Sequence, residues 1–191
     1  VGRNMKTKFS LKKHALGFYE IHPKPSLSEL SEHYAKKYYQ ENSGSYAHTY
    51  SEEELRYFDV CGEIALRTIH RYKVPTTQSL LDLGCGEGFF AKVFSKEGWK
   101  TTLVDFSDDG LSRHNPSLLE NFIQSDLMTY IENKCEELSV FDVINLDNVL
   151  EHVIDPVGLL SNLKSNIQSD AILRIEVPND FSSFQSLLLK L

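Results

Sequence analysis

Leu80-Leu81-Asp82-Leu83-Gly84-Cys85-Gly86-Glu87-Gly88-Phe89-Phe90 is the stretch that decides the fold. An apolar segment runs into three glycines at alternate positions. An acidic residue stands two places before the first glycine, and an apolar helix start follows the last. Glycine lets a backbone turn sharply and approach a ligand with no Cβ in the way. A helix starting there points its unpaired N–H groups into the same crevice. Together these features read as a strand, a nucleotide-cofactor loop and a helix. The spacing narrows the cofactor. A dinucleotide loop carries G-x-G-x-x-G, and Phe89 occupies the place of its third glycine. No Gly-Lys-Ser/Thr follows, which excludes a Walker-type phosphate loop. Asp82 repels a phosphate and suits a ligand bearing an ammonium group and hydroxyls.

Outward from this loop the pattern alternates strand and helix. Strands are expected at Ser79–Leu83, Lys100–Asp105, Phe122–Gln124, Phe141–Leu146 and Ala171–Val177. Phe89, Phe90, Val93 and Phe94 mark the first intervening helix, and a short helical turn is expected near Asp108–Arg113. Asp155-Pro156 opens another helix, with Asp as cap and Pro at the first helical position. Such alternation implies a parallel sheet covered on both faces, with ligands beyond the carboxyl ends of its strands. The expected fold class is therefore α/β, a Rossmann-like three-layer sandwich with a mainly parallel sheet. Upstream, Ser51-Glu52-Glu53-Glu54 has the form of a capping box before a long helix carrying Leu55, Phe58, Ile64, Leu66 and Ile69 and ending near Pro75. Ser26 or Ser28 caps a helix through Leu30, Tyr34 and Tyr38, and residues 1 to about 25 read as irregular. The expected division is a helical extension over residues 1–74 and the cofactor domain over 75–191.

The chain has 191 residues, 41% hydrophobic and 25% charged, with a formal charge of -7. That balance is ordinary for a globular domain and lacks the basic stripe of a nucleic-acid binder. The three cysteines, Cys61, Cys85 and Cys135, show no repeated spacing. A disulfide framework or zinc site is not expected, and a reducing cytoplasmic setting fits best. No apolar run reaches the length of a membrane span.

The segment around Gly84, Gly86 and Gly88 resembles motif I of class I S-adenosylmethionine-dependent methyltransferases. Phe141-Asp142-Val143-Ile144-Asn145-Leu146-Asp147-Asn148-Val149-Leu150-Glu151-His152-Val153 resembles a second segment of the small-molecule branch of that family, at the end of its fourth strand. The likeness runs from about Ser79 to Asp180. It implies S-adenosylmethionine as cofactor, S-adenosylhomocysteine as product and a small-molecule methyl acceptor. In the sites it implies, Asp82, Gly84, Cys85, Gly86 and Gly88 form the loop, and Asp105 at the end of the second strand accepts from the ribose hydroxyls. Phe106 lies against the adenine, while Asp126 and the Leu127 amide meet its edge. Leu146 and Asp147 meet the methionine end. His152 takes a proton from an acceptor hydroxyl, its pKa range being suitable. Tyr46, in a Gly/Ser loop within a tyrosine-rich lid (Tyr34, Tyr38, Tyr39, Tyr50, Tyr57), offers an aromatic face to the sulfonium. The quinone-pathway branch carries an acidic metal ligand where this chain has Asn148, so no metal is expected.

One departure stands out. The family has seven strands, and only fourteen residues follow Val177. The sheet is expected to stop at five strands, leaving an apolar edge. A longer parent chain, or a second copy in a homodimer, is expected to cover it. The acceptor is open among sugar, natural product, quinone-like ring and carboxylate, with O, N or C as the methylated atom. Alternatives are a cofactor-binding module or fragment without turnover, and a nicotinamide-dependent oxidoreductase.

Overall fold

Leu80, Leu81 and Leu83 are wholly buried, and their strand is the centre of the sheet. The computed structural model describes residues 10–26, 28–29 and 49–178. Two compact units divide the chain, Val1–Glu41 and Asn42–Leu191.

Within the first unit, β1 (Ser10–Lys13) pairs antiparallel with β2 (Tyr19–His22), Ser10 facing His22. Gly17, at φ 97°, makes the turn, donating its N–H to the His14 carbonyl at 2.9 Å. This hairpin replaces the irregular segment expected from the sequence. Its strands are four residues each and mostly exposed, so they carry too little alternation to be read. Ser26, rather than Ser28, makes the reciprocal cap. Its N–H donates to Glu29 Oε2 at 2.9 Å, and the Glu29 N–H donates to Ser26 Oγ at 3.2 Å. The helix expected beyond Glu29 lies outside the described residues.

The second unit contains α1 (Glu52–Tyr72), β3 (Ser79–Leu83), α2 (Phe89–Lys96), β4 (Lys100–Asp105) and α3 (Asp109–His114). These are followed by β5 (Phe122–Gln124), α4 (Leu127–Asn133), β6 (Val143–Asp147), α5 (Pro156–Asn166) and β7 (Ile172–Glu176). The strands lie in the order β5-β4-β3-β6-β7, and every pairing is parallel. Strand side chains alternate between faces. Leu81, Leu83, Ile144 and Leu146 join Ile131, Leu159 and Leu163 in one core, beneath α4 and α5. Leu80, Leu103 and Val143 join Leu66, Ile69, Val93, Phe94 and Leu111 in the other, beneath α1, α2 and α3. The chain winds outward from β3 to β5 and then returns to β6 on β3's other side. That reversal opens a crevice beyond the carboxyl ends of β3 and β6.

The long helix packs into this second core. Ser51 completes its expected capping box, its Oγ accepting from the Glu54 N–H at 3.2 Å while its N–H donates to Glu54 Oε2 at 2.8 Å. Leu66 and Ile69 enter the core, and the helix falls within the second compact unit, which begins at Asn42. Gly62 lets α1 approach α2: a Cβ there would stand 2.7 Å from Val93 Cγ2 and 2.9 Å from Val93 Cβ. Alanine is otherwise favoured over glycine in a helix by about 1 kcal/mol. Val93 is β-branched and held in the core, so it has little room to yield. Gly62→Ala is therefore expected to destabilise the protein by about 1–2 kcal/mol net of that gain, and thermal denaturation checks it. A rise in Tm would mean the two helices move apart at no cost.

At the amino ends of the strands, away from the crevice, Asp142 is fully buried. It accepts from the Thr77 N–H at 2.9 Å, the Thr76 N–H at 3.3 Å and both threonine hydroxyls. Lys73 Nζ, from the end of α1, lies 3.0 Å from it and 3.2 Å from Asp170. Burial alone would raise the Asp142 pKa, but these donors together hold it well below the usual carboxylate range. On the far side of the sheet, β7 pairs with β6 in the register Ile172 to Val143 through Glu176 to Asp147. Ile175 and Val177 remain exposed there. No helix among the described residues is long and apolar enough to cross a membrane.

Candidate functional site

The loop between β3 and α2 is folded onto the end of β4. Gly84 N–H donates to the Val104 carbonyl at 2.7 Å, and Cys85 N–H reaches the same oxygen at 3.2 Å. Gly86 N–H then donates to Asp105 Oδ2 at 2.8 Å, while Phe106 N–H donates to Asp105 Oδ1 at 2.6 Å. Asp105 is thus a buried carboxylate whose orientation is set by two backbone donors. Gly84, Gly86 and Gly88 have φ of 74°, 53° and 74°, a region that disfavours side chains. Two of them are also demanded by packing within the protein. A Cβ on Gly84 would stand 2.5 Å from Val149 Cγ2, and one on Gly88 would stand 2.4 Å from Leu111 Cδ1. Gly84 therefore lets the segment after β6 close onto the loop, and Gly88 lets α3 do so. Sequence reasoning assigned both glycines to ligand approach.

The acidic groups differ in state. Asp82 is almost wholly buried on the α1–α2 side of the sheet and accepts from Asn145 Nδ2 at 2.7 Å. Burial pushes its pKa up to about 7, against that hydrogen bond. Asn145 Oδ1 in turn accepts from Arg174 Nη1 at 2.7 Å, and Arg174 also donates to Asp147 at 2.8 Å and to Glu176. The pairing of Asp82 with Asn145 and of Asn145 with Arg174 in register makes this row. Asp82 is thus tied across the sheet to Asn145 and, through it, to Arg174. Burial raises the Cys85 thiol well above its ordinary range, so Cys85 is an inert core residue.

The methyltransferase-domain family model matches residues 37–191. The chain belongs to that family. Among relatives, the ubiquinone biosynthesis O-methyltransferase of Actinobacillus pleuropneumoniae serotype 7 is 28% identical over 102 residues, covering 50% of this chain and 44% of that protein. The chain therefore spans less than half the length of that curated relative. A solved S-adenosylmethionine-dependent methyltransferase from Archaeoglobus fulgidus is 26% identical with a TM-score of 0.55, covering 72% of this chain and 60% of that one. An amino pentose methyltransferase from Micromonospora echinaspora, solved with S-adenosylmethionine bound, shares the fold at 14% identity, with a TM-score of 0.51 and coverage of 65% and 55%. The Rossmann-like sheet of this methyltransferase domain is that of the class I enzymes.

The other expected residues fall as follows. Asp126 caps α4, accepting from the Thr129 N–H at 2.9 Å, and Leu127 begins that helix. They adjoin Asp105 through the preceding residue, since Ser125 N–H donates to the Asp105 carbonyl at 2.9 Å. Gln124 Nε2 donates to the Phe106 carbonyl at 2.8 Å, which ties the ends of β4 and β5 together. Leu146 is wholly buried in the core, so only its backbone can reach the crevice. Asp147 ends β6 and is held by Arg174, and Asn148, at φ 53°, turns the chain directly after it. His152 closes a 3-10 turn, with its side chain 42% exposed and its Nε2 4.0 Å from Glu151 Oε1. Among the described residues no cluster of three or more His, Cys, Asp or Glu could hold a metal ion. Tyr46, with Tyr34, Tyr38 and Tyr39, lies outside the described residues.

Sequence reasoning missed Glu87, His114, Asn115, Asn145 and Arg174. Glu87, inside the glycine loop, is buried, and Tyr50 Oη donates to its Oε1 at 2.5 Å. A glutamate between glycines reads as solvated, so nothing local announced its burial. The in-register Asp82, Asn145 and Arg174 could have been found by aligning the three expected strands at one depth.

Proposed function

We propose that this chain binds S-adenosylmethionine beyond the carboxyl ends of β3, β4 and β6, and that its methyl group passes to a small-molecule acceptor. The observation that carries this reading is the Asp105 carboxylate, locked beside the glycine loop by the Gly86 N–H. The groups at the loop fit that cofactor. The Asp105 carboxylate stands at the loop, and the loop's donor Gly86 N–H is already given to it. That chemistry suits hydroxyls and cationic centres and disfavours the pyrophosphate of a dinucleotide.

When bound, the cofactor supplies a methyl carbon made electrophilic by its sulfonium sulfur. The chain's own part is to bind and orient. Asp105 accepts from the ribose hydroxyls, in charge-assisted bonds worth about 1.5–3 kcal/mol each. Phe106 offers a ring face to the adenine, with Asp126 and the Leu127 N–H at its edge. Asp147 and the backbone of Leu146 serve the methionine end, and Tyr46 the sulfonium. His152, exposed at the same end of the sheet, takes the proton where the acceptor is a hydroxyl. Relatives named as ubiquinone biosynthesis O-methyltransferases support a small molecule as that acceptor. A cytoplasmic site of action and a homodimer covering β7 belong to the same proposal.

Calorimetric titration of S-adenosylhomocysteine, beside titration with NAD, is the direct test. Micromolar binding of the first with a 1:1 ratio is expected. Binding of NAD alone would reverse the assignment. A panel of hydroxylated aromatics and amino sugars, assayed for S-adenosylhomocysteine release, then separates turnover from binding alone.

A further inference from the structure

We propose that Tyr50 and Glu87 form a latch that sets the glycine loop for cofactor binding, both acting as positioning residues. The proposal rests on the cofactor reading above. Glu87 lies between Gly86, whose N–H holds Asp105, and Gly88, which caps α2. Glycines are the positions with the most backbone freedom to lose. A side chain fastened between two of them restrains both. Glu87 is fastened at each end. Its backbone carbonyl accepts from Asn115 Nδ2 at 2.7 Å, and its carboxylate accepts from Tyr50 Oη at 2.5 Å. His114 Nε2 lies 3.9 Å from the same oxygen.

Tyr50 is held equally firmly. It immediately precedes Ser51, the cap of α1. Its ring packs edge-on against Phe58 of α1 at 5.2 Å and Phe89 of α2 at 5.4 Å, and tilts against His114 of α3 at 5.0 Å. Phe58 stacks on Phe89 at 4.5 Å. The lead-in to α1, the start of α2 and the end of α3 therefore meet at one carboxyl group, 8% exposed, inside the loop. Burying a glutamate is costly. The helices and their aromatic rings do not need a carboxyl group for packing; a loop that must keep the Gly86 N–H aimed at Asp105 does.

The test is calorimetric titration of S-adenosylhomocysteine into the full chain and four variants: Tyr50→Phe, Glu87→Ala, Glu87→Gln and the Tyr50→Phe/Glu87→Ala double. Tyr50→Phe keeps the ring packing and removes the hydroxyl. Glu87→Gln keeps an acceptor oxygen for that hydroxyl. Tyr50→Phe and Glu87→Ala are each expected to weaken binding about 5–10-fold, the size of one net hydrogen bond. Glu87→Gln is expected to stay within about twofold of wild type, and the double variant to be no weaker than Glu87→Ala alone, as for two ends of one contact. Hydrogen exchange of residues 84–88 in the free protein is expected to rise in Tyr50→Phe and not in Glu87→Gln. Wild-type affinity in Tyr50→Phe and Glu87→Ala, additive losses in the double, or a Gln variant as weak as the Ala variant would each overturn the latch while leaving the cofactor reading intact. A wild-type protein that binds no S-adenosylhomocysteine would overturn both.

Discussion

Asp105→Ala is expected to weaken S-adenosylhomocysteine binding by about 100-fold or more, with the fold intact. Two charge-assisted bonds to a ribose at about 1.5–3 kcal/mol each would give more than this in isolation. Rearrangement and water recover part of it. The variant also strips the Gly86 N–H of its acceptor at 2.8 Å, so the loop loses its anchor together with the sugar contact. Asp105→Asn separates these effects, because one amide oxygen can keep the loop bond while the charge is gone. It is expected to fall between wild type and alanine. Calorimetry gives the affinities, and circular dichroism confirms the fold. An alanine variant that binds as tightly as wild type would remove the ribose contact from the assignment.

Asp142→Ala is expected to be the most destabilising single change, at about 3–5 kcal/mol, because it leaves a buried cation and several backbone donors without their acceptor. For a domain of this size that is about 10 °C or more in Tm. Among the described residues, the buried Lys73 ammonium then keeps only Asp170, an exposed partner at 3.2 Å, and the Thr76 and Thr77 N–H groups lose their oxygens. The pH dependence has a definite sign. The Asp142 pKa is depressed in the folded chain, so its stabilisation is full above about pH 5 and is lost as the pH falls through the ordinary carboxylate range and below. Asp82 and Glu87 act oppositely. Burial raises each to about 7, against the Asn145 amide for Asp82 and against the Tyr50 hydroxyl and Arg113 for Glu87. The folded chain then binds more protons than the unfolded one from about pH 4.5 to 7, so their ionisation erodes stability as pH rises through that window. Denaturation of the cofactor-free protein is expected to show a maximum near pH 5. The acid limb should flatten in Asp142→Asn and the limb above pH 5 in Glu87→Gln. A stability that climbs from pH 5 to 8 in wild type would contradict the raised values.

Much of the fold was readable in local chemistry. The span Ser79–Leu83, the cap at Ser51 and the Asp155-Pro156 helix start all appear where their residues predict them. Each rests on short-range chemistry: an apolar run closed by turn glycines, a side chain bonding an N–H three residues on, or a ring that fixes φ. The β1–β2 hairpin escaped notice because its four-residue strands, exposed on most sides, carry neither an apolar run nor a clear alternation. The end of α1 was readable, but its place in the second core was not. An apolar helical face says that something covers it, without saying what.

The sequence by itself determined a parallel α/β sheet, a glycine turn at its centre and an acidic residue at the end of the neighbouring strand, because those depend on neighbours along the chain. Only the tertiary structure decided what the acidic groups do. Asp105 faces the loop, Asp82 lies inside the sheet behind Asn145, Glu87 is buried under Tyr50, and Asp142 anchors the far end of the strands. These four carboxyl groups are chemically alike in the sequence. Their differences come from burial and from donors tens of residues away, which no local pattern encodes.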